Sequence, residues 1–326
     1  MRPALVALLS NYGLQPTRAW CVARLGCEIY RVSARSLDGS SRDLSLRIYP
    51  PSDDGAACLE TEITWLATAA AEGLHVPRPL ADGSGRVIQS WRPHPAAAPR
   101  RAVVLTWLKG RMHDRALTPA RLRRVGVLTA RLHCTAGRLA AEGRINSARL
   151  ACTSDLARWA DRTLDATTML GARLRAIAWR AARRLVDEMA SLPTDRISYG
   201  LVHGDLHQWN IVFEREAAGA IDFSDCGWGH VALDLASTLQ YLRHPLANNH
   251  DHRPQVARLQ AMLLEGYASV RVLPQDIEMH IDLYIVARMF MTLDWIIEDW
   301  PRPDHRGWGP GFLQGVEDVF GDFLAR

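Results

Sequence analysis

The chain has 326 residues, 48% of them hydrophobic and 23% charged, a composition that supports a large buried core and excludes disordered and collagen-like chains. The formal net charge is only +4, with no dense run of basic residues, so nucleic acid is not an expected partner. Six cysteines are scattered without a C-x-x-C pair, which argues against a zinc site or a disulfide framework and favours a reducing cytoplasm.

Apolar segments predict no contact with a membrane. The stretch 4–9 is short and lacks a cleavage pattern, so we expect an amphipathic helix there rather than a signal peptide. No uncharged apolar run approaches the roughly 20 residues that span a bilayer. We therefore expect a soluble protein in the cytoplasm.

The first third of the chain alternates strands with one helix. Runs of β-type residues at 29–32 and 44–49 flank a polar turn, and a helical pattern covers 59–72. Two further strands are predicted at 86–89 and 103–107. This part of the sequence predicts a small antiparallel sheet with one helix.

The pattern becomes helical after Gly110. The predicted helices cover 119–141, 155–192, 231–242, 255–270, 274–300 and 311–324. One β-type insertion interrupts them, with strands at 211–213 and 220–223 around a turn. We predict an α+β fold of two lobes, a small sheet-rich lobe over 1–108 and a large, mainly helical lobe over 109–326.

Three polar residues of the insertion are the candidate chemical groups. Asp205 and Asn210 lie five residues apart, and Asp222 follows at the end of the predicted hairpin. Each alone could be a turn residue, but together they match what kinase-type phosphoryl transfer requires. Mg²⁺ prefers oxygen ligands, so we predict that Asn210 and Asp222 hold Mg²⁺ and that Asp205 accepts the proton of an acceptor hydroxyl.

Longer motifs resemble a known family. The run HGDLHxxN at 203–210 is followed by IDFSD at 221–225, GWG at 227–229 and DLA at 234–236. This pattern, with ARLH at 130–133, resembles the aminoglycoside phosphotransferase and choline kinase superfamily, relatives of the eukaryotic protein kinases. The resemblance implies a two-lobed protein-kinase-like fold and transfer of the γ-phosphate of ATP or GTP, with Mg²⁺, to a hydroxyl of a small molecule.

The resemblance also assigns two nucleotide-binding residues in the first lobe. Arg47, in the strand motif LRIY at 46–49, stands where the family has a phosphate-binding lysine, and Glu62 resembles the acid of the first helix. A guanidinium is always charged and can hydrogen-bond both a phosphate and a carboxylate. We expect Arg47 and Glu62 to form such a pair, although a glutamate on a helix is by base rate a solvent-facing charge.

The connector between the lobes is the candidate purine site. We expect the strand edge there to be unpaired, so that the backbone of Val104, Thr106 and Leu108 faces the base; the choice between ATP and GTP stays open. The segment 24–30, with its lone glycine, is expected to cover the phosphates as a loop.

Three polar residues near these motifs have two interpretations each. His203 and His207 are expected to fix backbone rather than to transfer protons. Asp234 is either an acid complementing the start of a helix or, as the resemblance implies, a residue that steadies the catalytic loop.

The acceptor is the least determined part of the prediction. Asp294 and Glu298 share a helix face beside Trp295, a combination that suits a cationic acceptor such as an aminoglycoside-like antibiotic or an amino alcohol. Alternatively, Trp295 lies in the core and the acids form a solvated face. A protein Ser/Thr kinase and an inactive nucleotide-binding module are the alternative functions, and the sequence leaves the oligomeric state open.

Overall fold

The chain divides into two compact units in the computed structural model. The described residues are 3–51, 56–113, 115–145, 156–164, 167, 169–244, 251–299 and 303–326. The first unit comprises Met1–Gly110 with Arg144–Asn146, and the second comprises Arg111–Gly143 with Ser147–Arg326.

A five-stranded antiparallel sheet forms the first unit. Its strands are β1 (Leu14–Leu25), β2 (Cys27–Ser36), β3 (Ser41–Ile48), β4 (Gln89–Trp91) and β5 (Arg100–Thr106), and their spatial order is β1-β2-β3-β5-β4. Helix α1 (Pro3–Ser10) precedes the sheet, and α2 (Ala56–Ala71) follows β3. The predicted small antiparallel sheet is therefore confirmed.

Helix α1 and the sheet share one hydrophobic cluster. Leu9 of α1 is fully buried with Leu44 and Leu46 of β3. The indole Nε1 of Trp91 donates to the Ala4 carbonyl at 3.1 Å, which ties the start of α1 to β4. Strand β3, which carries Arg47, is thus held in the centre of a packed sheet.

Strand β1 was not predicted, and the expected loop over 24–30 is wrong. The chain reverses between Leu25 and Cys27 through Gly26, whose φ is +65°, a conformation that glycine adopts without a steric penalty. The segment is therefore the tip of the β1–β2 hairpin. The pattern of β1 was hard to detect because Pro16 interrupts it, at a shift in the strand register.

The second unit is mainly helical. Its helices are α3 (Pro119–Ala141), α4 (Leu156–Trp159), α5 (Ala172–Ala190), α6 (Ala232–Arg243), α7 (Val256–Ala268), α8 (Ile277–Asp299) and α9 (Pro303–Ala325). One predicted helix, 155–192, is wrong: a π-helical turn follows α4 at Ala160–Leu164, and Gly171 has extended backbone before α5 begins. Among the described helices, none combines the length and apolarity that a bilayer crossing requires.

Two small β-structures lie within the helical unit. Strands β7 (Ile211–Glu214) and β8 (Ala217–Ala220) form the predicted hairpin, with the second strand three residues earlier than expected. Strands β6 (Tyr199–Val202) and β9 (Gly227–His230) pair with each other and were not predicted. Together they place the candidate catalytic loop between β6 and β7.

Helices α3 and α7 approach each other closely at a pair of glycines. A Cβ atom added to Gly126 would lie 2.0 Å from the Leu263 carbonyl oxygen, and one added to Gly266 would lie 2.0 Å from the Arg123 carbonyl oxygen. Side chains at these positions would therefore force the two backbones apart. This contact positions α3, which carries His133 of the candidate site.

We predict that Gly126→Ala destabilises the protein by about 3 kcal/mol or more, because the added methyl group overpacks a backbone contact. Gly137→Ala, on the exposed face of the same helix with nothing within 4 Å of the new atom, is the matched control and should stabilise by about 0.5–1 kcal/mol. Urea unfolding followed by circular dichroism measures both, and equal stabilities of the two variants would contradict the packing argument.

Candidate active site

Arg47 and Glu62 form a buried ion pair in the first unit. Arg47 Nη1 lies 3.1 Å from Glu62 Oε1, with side-chain exposures of 7% and 3%. Tyr49 donates its hydroxyl to Glu62 Oε2 at 3.3 Å, and burial, followed by the Glu62 charge, raises the pKa of Tyr49 well above its usual value. The alternative of a solvent-facing Glu62 is therefore wrong, and the pair that we expected from the sequence is present.

The expected unpaired edge of the connector is wrong for two positions. The Val104 carbonyl accepts from the Leu80 N–H, and the Thr106 N–H donates to the Arg78 carbonyl, both at 2.9 Å. A segment that lies about 25 residues earlier in the chain thus pairs with this edge. Of the three predicted purine-binding positions, Leu108 lies beyond the paired stretch.

Asp205 lies at the centre of a hydrogen-bond network in the second unit. Its carboxylate accepts from Asn210 Nδ2 at 2.9 Å and contacts His207 Nε2 at 3.3 Å, both through Oδ2, and accepts from Arg288 Nη2 at 2.5 Å through Oδ1. Burial raises the pKa of Asp205, but the electrostatic interactions with His207 and Arg288 outweigh it and hold the pKa well below its usual value. The carboxylate is therefore ionised at neutral pH, with a quarter of its side chain exposed.

The two histidines of the loop fasten it to its surroundings. His203 accepts the Asp205 N–H at Nδ1, so its Nε2 donates to the Ile221 carbonyl at 3.0 Å. His207 likewise accepts the Trp209 N–H at Nδ1, which leaves Nε2–H to face Asp205. His203 has the structural role that we predicted, and His207 adds a direct contact with the candidate base.

Asn210 and Asp222 are brought together at the base of the β7–β8 hairpin. The Ile221 N–H donates to the Asn210 carbonyl at 3.0 Å, so Asp222 follows directly after a residue paired with Asn210. Asp222 adopts a left-handed conformation with a φ of 64°, which is strained for most residues and tolerated by aspartate. The amide nitrogen of Asn210 binds Asp205, which leaves the amide oxygen for a metal.

An amide oxygen and a carboxylate, as at Asn210 and Asp222, are oxygen donors of the kind that a divalent metal ion binds. Within the described residues, no group of three or more His, Cys, Asp or Glu side chains could hold a metal ion. A divalent ion at Asn210 and Asp222 would therefore need further oxygens from phosphates and water. Mg²⁺ is commonly bound in this way, through one or two carboxylates and substrate phosphates.

Asp234 holds the catalytic loop from the interior of the unit. Its fully buried carboxylate accepts the N–H groups of His203 and Gly204, each at 2.8 Å, and His133 Nε2 lies 2.9 Å from it. Burial raises the pKa of Asp234, but the hydrogen bond from His133 and the electrostatic interactions with His133 and His203 bring it below its usual value. Of the two interpretations of Asp234, the structure supports the one in which it steadies the loop.

Arg288 of α8 is a site residue that the sequence analysis missed. It contacts Asp205, 83 residues earlier in the chain, a separation that no local motif records. One signal was available: Arg288 is the single charged residue in the apolar run 283–291. A charge in such a run indicates a buried group with a polar partner.

The candidate acceptor residues on α8 differ in their exposure to solvent, and Glu298 is exposed. Trp295 is 36% exposed, so the alternative in which it lies in the core is wrong. Asp294 is half-buried and accepts a hydrogen bond from Trp159 Nε1. Burial raises the pKa of Asp294, and the Trp159 hydrogen bond lowers it only in part.

Comparisons of sequence place the chain among phosphotransferases. A model of the phosphotransferase enzyme family (APH) matches residues 30–273. Amicoumacin kinase of Bacillus subtilis (strain 168) is 29% identical over 90 residues, 27% of each chain. An uncharacterized protein of Deinococcus radiodurans is 31% identical over 236 residues, 72% of this chain and 65% of that protein. The match thus spans less than two thirds of either relative.

Solved structures share the fold over nearly the whole chain. An aminopropanol kinase associated with microcompartments has a TM-score of 0.79 at 21% identity, covering 98% of this chain and 97% of its own. Amicoumacin kinase in complex with AMP-PNP, Ca²⁺ and Ami has a TM-score of 0.77 at 19% identity, covering 97% of this chain and 93% of its own. These likenesses confirm the predicted protein-kinase-like fold. Because the family match extends over well more than half of the sequence, the chain belongs to the phosphotransferase enzyme family.

Proposed function

We propose that this protein is a kinase that moves the γ-phosphate of ATP or GTP to a hydroxyl group of a small molecule. One observation supports this most strongly: the side chains of Asp205 and Asn210 are hydrogen-bonded at 2.9 Å, and Asp222 follows directly after Ile221, whose N–H donates to the Asn210 carbonyl. Phosphoryl transfer needs such a group of one acid and two metal-binding oxygens.

Each of these residues has a distinct role in the proposal. Asp205 orients the acceptor hydroxyl and accepts its proton as the oxygen attacks the γ-phosphorus. Asn210 and Asp222 hold the divalent ion, which when bound neutralises charge on the nucleotide phosphates. The protein forms no covalent bond in this scheme, so the rate depends on orientation and on charge stabilisation.

The nucleotide is held by the first unit in the same proposal. Arg47, fixed by Glu62, binds the phosphates, because a guanidinium can share its N–H groups between a carboxylate and a phosphate. The backbone of Leu108 binds the purine, at a cavity of about 510 Å³ that Leu108 lines with Thr106. The proposal includes both ATP and GTP as the nucleotide.

We predict that Asp205→Asn lowers kcat by about 10²- to 10⁴-fold, the usual contribution of a general base, while Mg-nucleotide binding is retained. Asp222→Ala should instead weaken Mg-nucleotide binding itself. Nucleotide consumption with ATP and with GTP measures the first effect, against a panel of aminopropanol, choline, amicoumacin, spectinomycin, other aminoglycosides and macrolides. Calorimetry with Mg-AMP-PNP measures the second.

Three results would contradict the proposal. Wild-type activity retained in Asp205→Asn would remove Asp205 from its role. Binding of Mg-ATP or Mg-GTP without transfer to any member of the panel would instead support the inactive nucleotide-binding module, and transfer to serine or threonine of a protein would support the protein kinase.

We further propose that the acceptor carries an amine. Asp294 and the exposed indole of Trp295 lie on α8, the helix that also contacts Asp205 through Arg288. A carboxylate pairs with an ammonium group, and an indole face attracts a cation. The structural neighbour named for aminopropanol acts by its name on an amino alcohol, which agrees with this class of acceptor.

We predict that Asp294→Asn raises the KM for an aminated acceptor about tenfold or more, because the ammonium loses its counter-charge, and leaves the KM for nucleotide unchanged. Since burial raises the pKa of Asp294, the wild-type acceptor KM should also rise as the pH falls toward that pKa. Asp161→Asn is the matched control, because Asp161 also accepts from a tryptophan Nε1. Equal acceptor KM values in Asp294→Asn and the control would exclude this role.

A further inference from the structure

Arg288 is a buried charge in the middle of an apolar helix. Its side chain is 5% exposed, and its neighbours in sequence, Ala287 and Met289, are fully or almost fully buried. Removing a guanidinium from water costs several kcal/mol unless it is paired and hydrogen-bonded. The partners of Arg288 therefore determine what this residue contributes.

The guanidinium of Arg288 holds two consecutive residues of the catalytic loop. Nη1 donates to the Gly204 carbonyl at 2.8 Å, and Nη2 donates to Asp205 Oδ1 at 2.5 Å. Because the guanidinium is planar and rigid, these two hydrogen bonds fix the Gly204 carbonyl and the Asp205 carboxylate relative to each other. A lysine ammonium is a single point charge and cannot reproduce this fork.

The same loop segment is held from its other side by Asp234. The N–H groups of His203 and Gly204 donate to that carboxylate, so the backbone around Gly204 is bound through both its N–H and its C=O groups. Gly204 has a φ of +84°, and a Cβ there would lie 2.5 Å from the Asp225 carbonyl oxygen. Arg288 thus completes the restraint of an unusual backbone conformation.

The three donors on Asp205 leave room for a substrate. A carboxylate offers about four lone-pair sites, and Arg288, Asn210 and His207 occupy three of them. Arg288 is the partner that holds Oδ1, whereas the other two contact Oδ2. Arg288 therefore restrains the orientation of the carboxylate, and hence of the remaining site, through the oxygen that Asn210 and His207 do not contact.

We propose that Arg288 is a positioning residue for phosphoryl transfer, which fixes Asp205 so that its remaining lone pair meets the acceptor hydroxyl. This inference rests on the proposed kinase function. It assigns to α8 a part in catalysis that is distinct from acceptor binding. Loss of the fork leaves the Asp205 carboxylate held through Oδ2 alone, and a misplacement of about 1 Å lowers a rate by about 10²-fold.

The test compares Arg288→Ala and Arg288→Lys with the wild type, using the panel acceptor that the wild type phosphorylates fastest. We expect Arg288→Ala to lower kcat by about 10²-fold while the KM for Mg-nucleotide changes less than twofold. The kcat of Arg288→Lys should lie between those of Arg288→Ala and the wild type, since the lysine can re-form one of the two hydrogen bonds. Guanidinium chloride, at concentrations below those that unfold the variant, should restore part of the kcat of Arg288→Ala, whereas equal NaCl should not.

Arg184→Ala is the matched control. Arg184, in the same unit, also donates to one carboxylate, Glu188, and one backbone carbonyl, that of Phe323. We expect Arg184→Ala to have the kcat of the wild type, and added guanidinium chloride to change that kcat no more than it changes the wild-type value. Thermal melting of each variant shows whether it is folded; if Arg288→Ala does not fold, Arg288→Lys carries the kcat and KM comparison.

The outcomes separate this inference from the proposed function. A kcat of Arg288→Ala within twofold of the wild-type value would overturn the positioning role alone. The same conclusion would follow if guanidinium did not restore the lost kcat and if the loss of kcat in the variants paralleled their fall in melting temperature. A wild type that phosphorylates no acceptor would overturn both proposals. A rise in nucleotide KM at constant kcat would assign Arg288 to nucleotide binding instead.

Discussion

The buried carboxylate of Asp234 is the constraint on which the catalytic loop depends. It accepts the N–H groups of His203 and Gly204 and the Nε2–H of His133. Because a carboxylate can only accept, His133 must carry a proton on Nε2, where it faces Asp234. The other ring nitrogen, Nδ1, lies 2.9 Å from the Tyr267 hydroxyl oxygen, which also accepts from Arg271 Nη1. The loop is therefore joined through Asp234 and His133 to Tyr267 of α7.

With the loop held in this way, the hairpin that follows it determines where the two proposed metal ligands lie. Asn210 is the last residue of the loop, and its carbonyl accepts the N–H of Ile221, just before Asp222. Both proposed ligands are thus positioned by a hairpin of eight paired residues rather than by long-range packing. His203 connects both parts, since its ring binds the Asp205 N–H and the Ile221 carbonyl. The candidate base and the candidate ligands therefore belong to one hydrogen-bonded structure, and a displacement of one moves the others.

This locality explains which features the sequence could predict. The group of Asp205, Asn210 and Asp222 spans 18 residues, so spacing along the chain was sufficient to expect it. Helix α3 was predicted to the residue because Thr118 caps it and Pro119 begins it. The pairing of Val104 and Thr106 with residues 78–80 was missed because two distant segments form it. Arg288 was missed for the same reason, since packing of α8 brings it to Asp205. Sequence patterns report local geometry, whereas contacts between distant segments appear only in the folded chain.

Arginine at two buried positions has one physical explanation. Lys109 is the single lysine among the 39 basic residues, so the cations of the site are guanidinium groups. Burial readily lowers the pKa of a lysine, whereas arginine stays charged at any accessible pH. Arg47 at 7% and Arg288 at 5% side-chain exposure are therefore permanent charges, each beside a carboxylate. A lysine at position 47 could also pair with Glu62, but it would present one point charge to both that carboxylate and a phosphate, whereas a guanidinium has separate N–H groups for each. In the proposed function, Arg47 can thus keep its pair with Glu62 while it binds the nucleotide.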